Sequence, residues 1–459
     1  MLVRLKYPQP DDEEFPNDIV RFQGRLVGAV SDLEGLSAAI KVEIKRLKGQ
    51  KARLTPKYYE RHLAALDRYE TALADSLAIS RALGDAFAWF FYENDRALIQ
   101  DHLKHDRQAT LPVGVGGLGE RLFVNSIRGL GGKLMIYHGV TSFLRIGDVS
   151  FVNLKTRRVE ALGELKTYKA SDTEYRIGLH LAAETQAKIP KPDAWLTRSR
   201  PLDDASKSPP EMHPDQKRRL ERQLKRMSTA IKGRGGDPQR LSKGVKGMFH
   251  FDALAEVIGR SRSDRFEWIQ AGPAMIVGVL RCPGGRAFGS DLRPSRKDVT
   301  PMLEGVQEMA VKIALLDRDD NSLNIHMPGA GDALLLSAEA IPLAWWPMAD
   351  QALHDLLFGE VMLVTLHNDA HLRQAIEVRG YEPAPSGPGC YRRTRPDGRI
   401  QVIEHLDYFH RLTQAGFMSL DSVLAMIDGT MAIAEARPER TVRIGISPLI
   451  SLVQPRDIT

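Results

Sequence analysis

The stretch RIGDVSFVNLKTRRVEALGELKT, Arg145 to Thr167, reads as one β-hairpin. Its first half alternates, with Ile146, Asp148, Ser150, Val152 and Leu154 on one face. KTRR is a polar turn, and VEALGELKT is the return strand. On that strand Glu164 and Lys166 stand two apart, so both side chains leave the same face. An antiparallel return can bring Glu164 near Asp148, although the letters leave the register open. Two carboxylates and an ammonium therefore sit where a half-buried hairpin would carry apolar residues. Like charges brought together are unfavourable unless a cation lies between them. Mg²⁺, a hard cation taking oxygen ligands from one or two carboxylates, meets that need. An exposed hairpin edge with a Glu–Lys pair is the plain alternative, and the apolar flanks on both strands weigh against it.

Upstream, LPVGVGGLGERLFVNSIRGLGG reads as a Gly-rich turn, a short amphipathic helix and a Gly-rich stop, with Glu120 on the helix. No Gly-Lys-Ser/Thr follows the glycines and no strand–GxGxxG–helix order is present, which argues against a nucleotide loop. KLMIYHGV is a strand leading into the hairpin.

An acidic residue, fifteen intervening residues and then Glu-x-Lys on the neighbouring strand resembles the PD-(D/E)XK, or restriction-endonuclease-like, nuclease superfamily. In that family the helix before the sheet often carries one more Glu, the place Glu120 occupies. The resemblance covers about residues 115–170 well and 111–282 loosely, and departs from the pattern at Gly147, where a proline is common. It implies an α/β (α+β) fold with a mixed sheet flanked by helices. It also implies a metal-dependent phosphodiesterase, an endonuclease with Asp148, Glu164, Glu120 and Lys166 as catalytic residues. Asp148 and Glu164 would ligate Mg²⁺, for which Mn²⁺ can substitute, with Glu120 reaching it directly or through water. Lys166 would orient a water and steady charge on the phosphate. The ammonium is expected to stay protonated beside two carboxylates, so its role as base or as electrostatic clamp is open. Two other acid-x-Lys triplets have poorer contexts: EIK at Glu43–Lys45 lies in a helical pattern, and Asp215 in PDQK serves better as a first-turn acid.

The 459-residue chain is 43% apolar and 27% charged, an ordinary globular composition. It has no apolar run long enough for a membrane span, and MLVRLKYPQPDDEEFPND lacks a signal-peptide core. A cytoplasmic protein with no membrane partner is therefore expected. Cys282 and Cys390 are the two cysteines, too few for a disulfide framework or a cysteine zinc site. Net charge is +6. Six of the ten residues from Lys217 to Arg226 are basic, namely Lys217, Arg218, Arg219, Arg222, Lys225 and Arg226. On the predicted helix 214–232 they form either a solvated face or, with Lys169, a phosphate-binding stripe.

Three regions are expected. Residues 1–110 form a helical region with helices at 17–49 and 55–104, the second opened by Thr55-Pro56. Residues 111–282 form the nuclease core, including a Pro/Ser-rich connection at 188–213, a Gly-rich break at 233–236, a helix over 249–261 and a strand over 274–282. Residues 283–459 form a C-terminal α/β region with helices at 301–315, 350–357 and 420–436 and strands at ALLLSA, VMLVTLH and TVRIGIS. AFAWFFYEND reads as core or an interface patch rather than a site, and Trp345-Trp346 as core sooner than a partner pocket. His138 reads as a strand-end polar residue, and His405 with His410 lacks an evident third metal ligand.

The expected activity is Mg²⁺-dependent hydrolysis of nucleic acid, DNA favoured, in a regulated effector of bacterial anti-phage defence or restriction. Protein partners or self-association would suit so large a chain. A catalytically inactive nuclease-fold subunit that binds nucleic acid or assembles a larger complex is the alternative.

Overall fold

The computed structural model describes residues 1, 5, 15–92, 95–103, 105, 115–126, 129–130, 132–169, 175–183, 214–232, 248–261, 266–281, 296–326, 342–385, 389–398, 400–403, 406–414 and 416–435. The 188–213 connection, the break at 233–236, ALLLSA, TVRIGIS, Cys282 and His405 lie outside them. So does the side chain of Lys169. No helix of the described residues is long and apolar enough to cross a membrane.

The chain divides into two units, Met1–Pro238 and Gln239–Thr459, rather than the three regions expected. In the first, α1 (Phe15–Gly49) and α2 (Pro56–Tyr92) run as long helices, and α3 (Arg96–Leu103) and α4 (Val115–Ser126) follow. The single helix expected over 55–104 is broken, and Asp95, just ahead of α3, accepts the backbone N–H of Val159. A meander of β1 (Gly129–Leu130), β2 (Lys133–Tyr137), β3 (Val149–Asn153), β4 (Arg158–Lys169) and β5 (Tyr175–Ala183) forms one sheet in that order. Every pairing in it is antiparallel, so the mixed sheet expected is not found among the described residues. Finally α5 (Pro214–Lys232) packs against β4 and β5.

The helical region is not separate from the sheet. Leu26, Val27 and Val30 of α1 and Phe123 and Val124 of α4 share a core with Met135, Tyr137, Val149, Phe151, Ala161 and Leu165. Burying that much apolar surface is what makes α1 part of the sheet's own unit. Gln23 adds a polar stitch, donating to Met135 O at 3.0 Å and accepting from Tyr137 N at 2.9 Å. The aromatic end of α2 is core rather than an exposed interface patch, with Phe87, Phe91 and Tyr92 almost wholly buried.

In the second unit β6 (Glu267–Gly272), β7 (Met275–Arg281), β8 (Leu323–His326) and β9 (Val361–Asn368) form a sheet of order β6-β7-β9-β8, again antiparallel throughout. The strand over 274–282 was expected in the nuclease core, but β7 pairs along its whole length with β9. The boundary therefore falls near 238, not 282. Helix α6 (Phe251–Arg260) lies against β6 and β7, and α7 (Arg296–Ile313) covers the face holding Val364 and Leu366. Then come α8 (Asp350–Leu357), α9 (Ala370–Val378), a small sheet of β10 (Glu382–Pro383), β11 (Tyr391–Thr394) and β12 (Ile400–Ile403), α10 (Leu406–Gln414) and α11 (Leu420–Glu435). The antiparallel pairing makes this region α+β. Trp346 is 2% exposed and packs on Phe251 and Phe417, so the Trp pair is core.

Candidate functional site

The hairpin of Arg145–Thr167 is present, with β3 and β4 antiparallel and Val149 opposite Gly163. It is not half-exposed: Val149 to Val152 and Ala161 to Leu165 are all buried. From Ala161 onward, Ala161 and Leu165 face the α1/α4 core. By alternation, Leu162, Glu164 and Lys166 leave the opposite face. The basic helix α5 packs along β4 and β5 without sharing that core, and we place it on the Glu164 side. Glu164 is 4% exposed, and Lys166 Nζ donates to its Oε1 at 2.6 Å.

Asp148 stands one residue before β3. Its backbone N–H bonds Gly163 O at 2.8 Å, and its Oδ2 accepts the Leu165 N–H at 2.7 Å. A side chain thus takes the partner role a strand carbonyl would have had. The ladder ends there while β4 runs on, leaving a notch in the sheet beside Glu164. Gly147 makes the turn into it at φ 75°, a left-handed conformation closed to proline. A Cβ at Gly147 would also lie 2.8 Å from Gly163 O and 2.8 Å from Met227 Sδ of α5. Neither proline nor any residue with a Cβ therefore fits this position without strain.

The loop before Asp148 is pinned from three directions. Asp85 of α2 accepts the Ser142 N–H at 2.7 Å. His102 Nδ1 of α3 accepts from Arg145 N at 2.8 Å and Ile146 N at 3.0 Å. His138 Nδ1 donates to Gly147 O at 3.0 Å. His138 is fully buried, and burial pulls it down to about 4. It is a neutral strut for the loop, in keeping with a polar strand-end residue.

Glu120 comes from α4, on the other side of the sheet. Gly119 lets α4 press onto β4, since a Cβ there would collide with the Thr167 side chain. Tyr137 Oη donates to Glu120 Oε2 in a short bond. Burial first, and the Glu164 charge next, push Glu120 up to about 7 against the pull of that bond and of Lys166. Burial, then the charges of Glu164 and Glu120, push Asp148 up strongly as well. The three carboxylates therefore sense one another at the notch. They do not, however, bring one oxygen each within 4.8 Å, an approach that a different trio in the second unit achieves.

The sequence reading overlooked His180 of β5. It lies directly opposite Glu164 in the ladder, and Gly178 lies opposite Lys166. Burial, then the Lys166 charge, pull His180 down, while Glu164 opposes. Its signal was the alternation in YRIGLHLAA, where Ile177, Leu179 and Leu181 face the core and Gly178, His180 and Ala182 face the other way.

On α5 the buried residues Leu220, Met227 and Ile231, with half-buried Leu224, form one stripe. Lys217, Arg218, Arg219, Arg222, Lys225 and Arg226 are all exposed or half-exposed. A small cleft of about 70 Å³, next to Asp148 in the chain, is lined by Arg145, Gly147, Gln223 and Arg226, with His105 and Ile146. Arg226 and Arg145 so bring positive charge next to the notch. Lys169 ends β4, its side chain outside the described residues.

The second unit holds the other polar constellation. His410 does find partners, contrary to the expectation. His367 of β9, Asp369 before α9 and His410 of α10 bring one ligand atom each within 4.8 Å, a group that could hold a metal ion.

Comparisons with protein-family models, with curated proteins and with solved structures found no match to this chain.

Proposed function

We propose that the first unit is a Mg²⁺-dependent nuclease that hydrolyses phosphodiester bonds of nucleic acid, with DNA the favoured substrate. The observation that carries this reading is the notch itself. Asp148, Glu164 and Lys166 meet where β3 ends and β4 continues, and Asp148 is held there, buried beside the Glu164 and Glu120 charges, at an electrostatic cost that a divalent cation would relieve. The donor set is all oxygen, which fits Mg²⁺ or Mn²⁺. Asp148 and Glu164 would hold the ion, with Glu120 reaching it through a water. A bound ion would supply Lewis acidity toward a phosphoryl oxygen and lower the pKa of a water.

The chain's own groups do the rest. Lys166, now on Glu164, is placed to turn toward a phosphate and steady its developing charge. Arg145 and Arg226 line the approach. The basic face of α5 gives a nucleic-acid backbone a path toward the cleft. A role in anti-phage defence or restriction, with activity under control, would suit a catalytic unit joined to a second unit of similar size.

One observation favours the alternative, a nuclease-fold subunit without activity. The three acids are not as closely gathered as a preformed ion site, and Lys166 is held by Glu164. Lys166→Ala separates the two readings. Loss of metal-dependent cleavage with retained folding and binding supports the nuclease. An inactive wild-type chain with Mg²⁺ and with Mn²⁺ supports the subunit.

A further inference from the structure

We propose that His367, Asp369 and His410 bind a divalent transition-metal ion of the zinc class, with a water or exchangeable ligand completing the shell. The donors come from three elements that meet at one end of β9. His367 points to the face that α10 covers, opposite Val364 and Leu366 in the α7 core. Its Nδ1 lies 2.8 Å from Asp369 Oδ1, and His410 Nδ1 lies 3.1 Å from the same oxygen. Ligands at zinc bond lengths in a tetrahedron stand about 3.3 Å apart, so both separations are close to what one ion would need.

The hydrogen bonds around the trio sharpen this. Thr413 Oγ1 donates its single proton to His410 O at 2.8 Å. It must therefore accept from His367 Nε2, 2.9 Å away. With the proton on Nε2, neutral His367 turns the lone pair of Nδ1 toward a carboxylate oxygen, which repels it. A proton on Nδ1 would cure that one contact. It would do nothing for His410 Nδ1, which faces the same oxygen yet makes no hydrogen bond among the described residues. One cation among the three atoms satisfies all of them.

The surroundings match a prepared site. His367 Nε2–H is oriented by Thr413, and Asp369 Oδ2 accepts from Asn324 Nδ2 at 2.6 Å. Such outer contacts fix the tautomer and rotamer of metal ligands. His367 is wholly buried, while the Asp369 and His410 side chains keep 15% and 14% exposure, so a water can reach the open position. Two imidazoles and one carboxylate favour zinc, cobalt or nickel over Mg²⁺, which prefers oxygen.

The test uses the full chain, purified without a metal-affinity step and stripped with chelator. Zn²⁺ titration by calorimetry, with elemental analysis, is expected to show one ion per chain at micromolar affinity or tighter. Asp148→Asn with Glu164→Gln should leave that ion in place, which separates this site from the notch in the first unit. His410→Gln and Asp369→Asn should each remove it, and Thr413→Val should weaken it about tenfold or more. Co²⁺ loading of the unaltered chain needs no variant: intense visible bands of a four-coordinate site support the proposal. A pale six-coordinate Co²⁺ spectrum, no saturable Zn²⁺ binding, or binding unchanged in His410→Gln would overturn it.

Discussion

Replacing Glu120 by Gln removes one charge from the notch while keeping an oxygen to accept from Tyr137 Oη. In the folded chain Glu120 titrates at about 7 instead of 4.5, chiefly through burial. A raised carboxyl pKa means that folding favours the protonated form. Below about 4.5 folded and unfolded chains both hold that proton, and Glu120 costs nothing. Stability falls as pH rises from there to about 7 and then levels off. The full cost corresponds to roughly 3 kcal/mol. Metal-free Glu120→Gln should therefore be more stable than the wild-type chain at pH 7.5, by up to about 6–12 °C in the melting of the first unit. The advantage should shrink steadily toward pH 4.5 and vanish there. Saturating Mg²⁺ should stabilise the wild-type chain at pH 7.5 and do so less in the variant. Calorimetric melts of both proteins at several pH values, with and without Mg²⁺, provide the assay. Parallel pH profiles, or a variant destabilised at pH 7.5, would refute the claim that Glu120 carries an unfavourable charge.

Other perturbations act on neighbouring parts of the same site. Lys166→Ala should lower metal-dependent cleavage about 10²–10³-fold while leaving circular dichroism and DNA affinity near wild type, since the side chain is partly exposed and its loss removes an electrostatic contact. Gly147→Ala should cost about 1–2 kcal/mol for its left-handed backbone, with more for the approach to Gly163 O, and should misplace Asp148; denaturant titration and a cleavage assay read the two effects. Arg218→Glu with Arg222→Glu, both exposed on α5, should leave the melting temperature within about 2–4 °C, because surface changes cost little. The same pair should weaken DNA binding and lower the salt slope by about 0.9 for each phosphate that is no longer neutralised; fluorescence anisotropy across a salt series measures it.

The hairpin was legible because strict alternation and a polar turn admit few other structures, and α5 because its apolar stripe recurs at helical spacing. The helices expected over 17–49 and 350–357 were equally plain, and the first runs from Phe15 to Gly49. What the letters lacked was long-range pairing. Nothing local says that β7 pairs with β9 across some eighty residues of chain, so 267–281 was assigned to the wrong unit. Nothing local says that Glu120 reaches the notch from the opposite side of the sheet to Glu164, since that depends on α4 seating at Gly119 against Thr167. The hairpin's burial on both faces follows from covering helices that alternation cannot report. His180 was overlooked because β5 was not recognised as a strand, although its alternation was readable. Of the His367–Asp369–His410 group only His410 drew notice, because its partners lie about forty residues away on other elements.

The most direct measurement is incubation of the purified chain with labelled duplex DNA, single-stranded DNA and RNA, with and without Mg²⁺ or Mn²⁺, beside Asp148→Asn. Cleavage of at least one substrate, duplex DNA foremost, that requires the metal and disappears in Asp148→Asn is the predicted result. Intact substrates under every condition, or cutting by Asp148→Asn at the wild-type rate, would contradict it.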